Sequence, residues 1–187
     1  TPAGLPQFGG GGRCGAIAFK SAQPTEVELG QPVEVQLVVD GSCPSEDQNV
    51  DVVLTLERSG SMYGRKMQSA RDGAINFVLN VDGPRSRVGV TTFSNGAEEV
   101  VPLTEERVRA IRGIAGVVAG GSTNIVEGLS QARQTMNRAV VRPDLTRVII
   151  FLSDGRHSIG SVPIRQLDDV IAATRSDGIR VFTIGLG

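Results

Sequence analysis

The sequence predicts an α/β fold: a doubly wound, mostly parallel sheet with helices on both faces, preceded by a short β-rich segment. Three observations carry this. From Val50 onward, apolar β-branched runs alternate with stretches of helical periodicity, the pattern of a parallel sheet covered on both sides. The run Val50-Asp51-Val52-Val53-Leu54-Thr55-Leu56 has the length of a buried strand and stops abruptly in Glu57-Arg58-Ser59-Gly60-Ser61. A second and more apolar run, Arg147 to Leu152, stops in Ser153-Asp154-Gly155.

The elements follow in order. Residues 1–13, with Gly9-Gly10-Gly11-Gly12, read as a flexible entry segment. Gly10-x-Gly12-x-x-Gly15 matches a dinucleotide fingerprint in letters only, since no strand precedes it and no amphipathic helix follows. Residues 14–47 are β-rich: Ala16 to Phe19 and the alternating Val33 to Val39 read as strands, which would form one half of a β-sandwich. A polar linker, Gly41 to Asn49, leads into the main domain, residues 48–187. There, Lys66 to Leu79 has Met67, Ala70, Ala74, Phe77 and Val78 on one helical face. Val88 to Phe93 is a strand, and Glu98 to Leu103, after the Asn95-Gly96 turn and with Pro102 inside it, fits an antiparallel edge strand. Thr104-Glu105-Glu106 starts a helix continued by Val108 and Ile111. After Gly120-Gly121-Ser122-Thr123-Asn124 comes a helix carrying Ile125, Leu129, Ala132 and Met136. Leu167, Val170 and Ile171 mark a further helix, and Ile179 to Ile184 a last strand, with no covering helix after it in the sequence.

Composition narrows the function classes. With 187 residues, 40% of them hydrophobic and 21% charged, the chain can bury a full core. A net charge of -1 leaves no electrostatic footprint for nucleic acid or an anionic membrane. No apolar run has the length of a membrane span, and Thr1-Pro2-Ala3-Gly4 lacks the features of a signal peptide, so the chain reads as mature or cut from something larger. Cys14 and Cys43 are expected to form a disulfide, which would imply an oxidising compartment; the alternative is two unpaired thiols.

Oxygen-bearing side chains gather where the two strands stop. In an open α/β sheet, ligands sit beyond the carboxyl ends of the strands, where strand order reverses. Alternate residues of an extended turn can point one way, so Glu57-x-Ser59-x-Ser61 can present three oxygens to one small, hard cation, with no Cys or His needed. If the strands ending at Glu57 and Ser153 are neighbours, Asp154 and the Thr123 loop converge on the same crevice. Taken singly, Ser59, Ser61 and Thr123 fit turn and cap positions and Asp154-Gly155 fits a turn. Their joint occurrence after apolar strands favours a site.

Leu54 to Met62, Gly120 to Leu129 and Ile149 to Gly155 together resemble the three signature segments of the von Willebrand factor A domain, over residues 48–187. The resemblance implies a metal-ion-dependent adhesion site at the top of the sheet, holding Mg²⁺, with Ca²⁺ or Mn²⁺ as alternatives. Carried over, the metal residues would be Ser59, Ser61, Thr123 and Asp154, with Glu57 in the place of the family's first aspartate. That departure sets the carboxylate about 1.5 Å farther out. It would displace a bound water, shift the metal preference or weaken binding.

The implied function is a protein-binding module for adhesion or assembly, whose metal engages an exposed Asp or Glu of a partner protein. Arg58, Tyr63, Asn95, Arg156 and His157 would form the rim that selects this partner, with Arg65 beside them. The alternative is a structural domain of a larger surface or pilus protein with a weakened or empty site, where further segments of the same parent protein complete the N-terminal strands. An enzyme is not expected: there is no H-E-x-x-H, G-x-x-x-x-G-K-[ST] or G-x-S-x-G, and His157 is the single histidine. Neither nucleic acid nor a membrane is an expected partner. The cysteines and the family together suggest an extracellular or cell-surface setting rather than the cytoplasm.

Overall fold

The computed structural model describes residues 15–23, 34–42, 49–155 and 164–186. Two units separate by their contacts, residues 1–48 and 49–187. In the first, β1 (Gly15–Gln23) pairs antiparallel with β2 (Glu34–Ser42), with Ala18 opposite Val39. Cys14 and Cys43 lie outside the described residues, as do the linker residues 43–48.

The second unit is built on β3 (Val50–Glu57), whose residues after Val50 are all buried. β4 (Arg87–Phe93) pairs with one edge of β3 and β6 (Thr146–Ser153) with the other, both parallel. Outside them, β7 (Ile179–Gly185) continues the parallel set beside β6, and β5 (Ala97–Thr104) closes the other side antiparallel to β4. The order is therefore β5-β4-β3-β6-β7, and strand order reverses at β3. Glu98 to Leu103 is the antiparallel edge strand that the Asn95-Gly96 turn and Pro102 suggest, with register irregularities between Val88 and Thr91 of its partner.

Alternation along β3 divides the core into two layers, because successive side chains leave a strand on opposite faces. Val52, Leu54 and Leu56 pack with Ala74 and Val78 of α1 (Arg65–Asn80) and with Ala110 and Ile114 of α2 (Arg107–Ala115). Val53 packs with Leu129, Ala132 and Met136 of α3 (Ile125–Arg138), in a layer joined by Leu167, Val170 and Ile171 of α4 (Ile164–Ser176). Glu57 continues the odd-numbered positions of β3, so its carboxylate leaves the strand on the α3 side of the sheet.

α3 approaches the sheet closely. A Cβ on Gly128 would lie 2.7 Å from Phe93 Cγ, and Phe93, fully buried, is backed by Phe151 at a ring-centroid distance of 4.6 Å. Packing at this density leaves the ring little room to yield. Glycine at 128 thus sets how far α3, and the loop leading into it, sits from the strand ends.

At the opposite end of β3, Asp51 is buried and receives Nε and Nη2 of Arg87 at 2.8 and 2.5 Å and Nη2 of Arg142 at 2.9 Å. Burial alone would raise the Asp51 carboxyl, but the two guanidinium groups outweigh it and hold it below the usual carboxylate range. Arg142 also donates to the Arg85 carbonyl at 2.8 Å, so the cluster ties the lower loops to β3.

Two outcomes follow for stability. Asp51→Asn should cost about 3 kcal/mol at pH 7, because it removes the counter-charge of Arg87 and one of the two carboxylates that meet Arg142, both poorly solvated. Since the folded-state pKa is lowered, the contribution is complete above the ordinary carboxylate range and disappears as pH falls through the folded value. Urea unfolding should therefore show the gap between parent and variant closing below about pH 4. Gly128→Ala should lower stability by about 1–3 kcal/mol despite alanine's better helix propensity, through the clash with Phe93. A chemical melt in which Gly128→Ala gains stability would show that the ring can move aside.

Candidate metal centre at the carboxyl ends of the strands

Because β3 and β6 are adjacent, with Leu56 opposite Leu152, Glu57 and the Ser153-Asp154 pair end up side by side. The Glu57 side chain is fully buried and its carboxylate collects four hydrogen bonds. Ser59 Oγ and Thr123 Oγ1 donate to Oε1 at 2.5 and 2.9 Å, and Ser153 Oγ and the Asp154 amide donate to Oε2 at 2.6 and 3.0 Å. Ser61 Oγ lies 2.9 Å from Ser59 Oγ. Ser59 has spent its single proton on Glu57, so Ser61 is the donor of that bond.

Backbone bonds between loops hold the cluster from outside. Gly60 N donates to Gly121 O at 2.8 Å, and Gly120 N donates to Arg58 O at 2.6 Å. Asn124 N donates to Ser94 O at 2.7 Å, and Ser122 N to Asn95 Oδ1 at 2.5 Å. Gly121 has φ +88°, and a Cβ there would meet Asn95 Oδ1 at 2.9 Å, so this crossing needs glycine on both counts.

The structure therefore brings Glu57, Ser59, Ser61, Thr123 and Asp154 to one place. Two local details differ from the extended-turn reading of the first segment. Gly60–Met62 is a short 3₁₀ turn, and Ser59, although at its N-cap position, makes no side-chain capping bond. Its hydroxyl is committed to Glu57. Likewise the cap of α3 is Asn124, whose side chain accepts from Glu127 N at 3.2 Å, which leaves the Thr123 hydroxyl for the carboxylate.

The rim residues divide. Tyr63 is 82% exposed on the loop after Ser61. Arg58 pairs with Glu98 of β5 at 3.5 Å and lines one open cavity with Thr92, Glu98 and Arg112 and another with Asn95, Gly120 and Gly121. Asn95 is exposed, but its side-chain oxygen holds Ser122 N. Arg156 and His157 lie outside the described residues.

Two participants go beyond the sequence reading. The Ser153-Asp154 strand end reads as a carboxylate beside a hydroxyl, with no site role for Ser153, yet its hydroxyl satisfies half of Glu57's second oxygen. Lys66 reads only as the start of a helix, but its ammonium lies 3.2 Å from Asp154 Oδ2.

The donor set suits a hard cation, which prefers oxygen ligands: the Ser59 and Ser61 hydroxyls lie together at the end of β3. Both hydroxyls, like that of Thr123, retain lone pairs while donating their protons. The described residues hold no group of three or more His, Cys, Asp or Glu side chains suited to a metal, so any ion here would depend on neutral hydroxyls with Asp154 and Glu57.

Residues 51–187 match the family model of the von Willebrand factor type A domain. The inter-alpha-trypsin inhibitor heavy chain H4 of Homo sapiens is 30% identical over 146 residues, covering 73% of this chain and 16% of its own length. Matrilin-1 of Bos taurus is 27% identical over 150 residues, 73% of this chain and 26% of its own. The chain thus spans about a sixth to a quarter of these relatives. Among solved structures, proximal thread matrix protein 1 from the mussel byssus, with a zinc-occupied MIDAS motif, superimposes with a TM-score of 0.61 at 26% identity, covering 74% of this chain and 38% of that one. With the sheet order, the helices on both faces and the matched segments in agreement, the chain belongs to the von Willebrand factor type A domain family.

Proposed function

We propose that this domain is a protein-binding module for adhesion or assembly, whose divalent cation engages an Asp or Glu side chain of a partner. The observation that carries the reading is the cluster of hydroxyls around the buried Glu57, with Ser59, Ser61 and Thr123 gathered beside the Ser153-Asp154 strand end. Ser59, Ser61, Thr123 and Asp154 would hold the ion, Mg²⁺ first and Ca²⁺ or Mn²⁺ next. When bound, the ion would supply Lewis acidity toward a carboxylate oxygen of the partner. A zinc-occupied site of this kind in the byssus protein supports metal binding here.

In this reading Glu57 orients rather than ligates. Its two oxygens accept from three hydroxyls and one amide, which fixes where the remaining lone pairs of those hydroxyls point. The longer side chain is accommodated by burial at the end of β3. The exposed Tyr63 is well placed for partner contact, with Arg156 and His157 as further rim residues. We also infer a binding rather than catalytic role and an extracellular or cell-surface setting, and among the described residues no helix is long and apolar enough to cross a membrane. The relatives are several times longer than the matched segment, in keeping with a module that works beside further parts of a parent protein.

Calorimetric titration of Mg²⁺, Ca²⁺ and Mn²⁺ into chelator-stripped protein should give binding in the parent and at least a tenfold loss in Asp154→Ala, a range expected for removal of a ligand or its outer-shell support. Binding of a surface-immobilised acidic peptide should then require the cation. Unchanged metal affinity in Asp154→Ala would refute this assignment of the site. Glu57→Gln should lose about 1–3 kcal/mol of stability even in chelator, because an amide cannot accept four donors and sets its NH₂ against one of them. Full stability of Glu57→Gln in a urea melt would show that the carboxylate does not organise the loops.

A further inference from the structure

Lys66 stands at the edge of the oxygen cluster in a position that local helix energetics disfavour. It occupies the first turn of α1 next to Arg65, and that turn carries no acidic residue. The amino end of a helix has positive character, so a second cation there is repelled. Asp154 supplies the opposing attraction. Its side chain is only 2% exposed, and a carboxylate so poorly hydrated gains strongly from a nearby positive charge. The Lys66 ammonium provides one at 3.2 Å, joining the first turn of α1 to the end of the third signature segment.

The two ends of this ion pair differ in freedom. The Lys66 side chain is 39% exposed, against 2% for Asp154. A four-carbon stem with a strongly hydrated head can swing into water without movement of the backbone, whereas the aspartate is short and its own backbone amide is bonded to Glu57. A divalent ion held by Ser59, Ser61 and Thr123 beside Asp154 would face the same carboxylate and repel the ammonium. Repulsion between nearby +2 and +1 charges, even in the dielectric of water, changes an equilibrium on the order of tenfold.

We propose that Lys66 is a tethered competitor of the metal: its ammonium, paired with Asp154, and a divalent cation compete for the same carboxylate, so that Lys66 raises the cation concentration at which the site fills. The inference rests on the metal-dependent reading given above. It assigns Lys66 a role distinct from that of the hydroxyl set, since the lysine stabilises the metal-free protein and weakens the metal-bound one. The aspartate is thereby kept ready in its loop when cation is scarce.

The test is titration of Mg²⁺ and Mn²⁺ into chelator-stripped parent, Lys66→Met and Lys66→Arg, with thermal unfolding of each in chelator. Lys66→Met should bind about tenfold more tightly than the parent while melting at a lower temperature without metal. Lys66→Arg, which keeps the charge, should stay close to the parent in affinity. Binding by Lys66→Met alone would also support the role, the lysine then outcompeting the ion in the parent. Should Lys66→Met fold poorly, Lys66→Gln, which retains a hydrogen-bond donor without the charge, serves in its place. Parent-like or weaker affinity in the uncharged variants would overturn the competitor role and leave the metal site standing. Absence of heat in the parent and in every variant would overturn the metal reading and this role together.

Discussion

The upper end of this domain depends on one buried carboxylate. Glu57 is fully shielded from water, and a charged group so placed must be hydrogen-bonded on all sides. The partners come from the turn after β3, the loop before α3 and the end of β6, segments separated by up to 97 residues in the chain. Satisfying Glu57 therefore positions three loops at once. The hydroxyls are organised as a by-product, each held by its proton with its lone pairs left over.

The same strand carries a second buried carboxylate at its other end, and the contrast is instructive. Asp51 is met by two guanidinium groups, so its charge is cancelled within the fold and the cluster serves as a fixed clamp. Glu57 is met by neutral donors in each of its four hydrogen bonds, which solvate its charge without cancelling it. Both residues lie on the odd-numbered face of β3, yet one end is finished by opposite charge and the other by neutral donors alone. Chemistry at a strand end thus depends less on the carboxylate than on whether arginine or serine reaches it.

Most of this arrangement was legible in the sequence, for physical reasons. Alternation of apolar strands with helical faces dictated the layers, and the oxygen-rich strand ends at Glu57 and Asp154 required only adjacency of their strands to meet, which the β3–β6 pairing supplies. Thr123 could be placed in the crevice because the glycines before it break the chain ahead of a helix. What composition and spacing could not convey was the destination of each proton. Whether Ser59 caps a turn or bonds a carboxylate is decided by a side chain two residues back and by how deeply it is buried, and with Asn124 as the cap, the Thr123 hydroxyl donates to Glu57 instead. Lys66 was illegible because its partner lies 88 residues away, and a lysine at a helix start has many ordinary explanations.

The position of β6 has a consequence for how the chain is made. β3, β4 and β5 can assemble as soon as residues up to about Thr104 are available, but one edge of β3 must wait for Thr146 to Ser153. During synthesis that edge offers unpaired backbone groups on the most buried strand of the sheet, the kind of surface that recruits other chains. Arrival of β6 removes the hazard and, in the same step, delivers Ser153 and Asp154 to Glu57. A nascent or misassembled chain therefore cannot bring Glu57, Ser153 and Asp154 together while its interior edge is still open, and the assembled cluster reports that the sheet has closed.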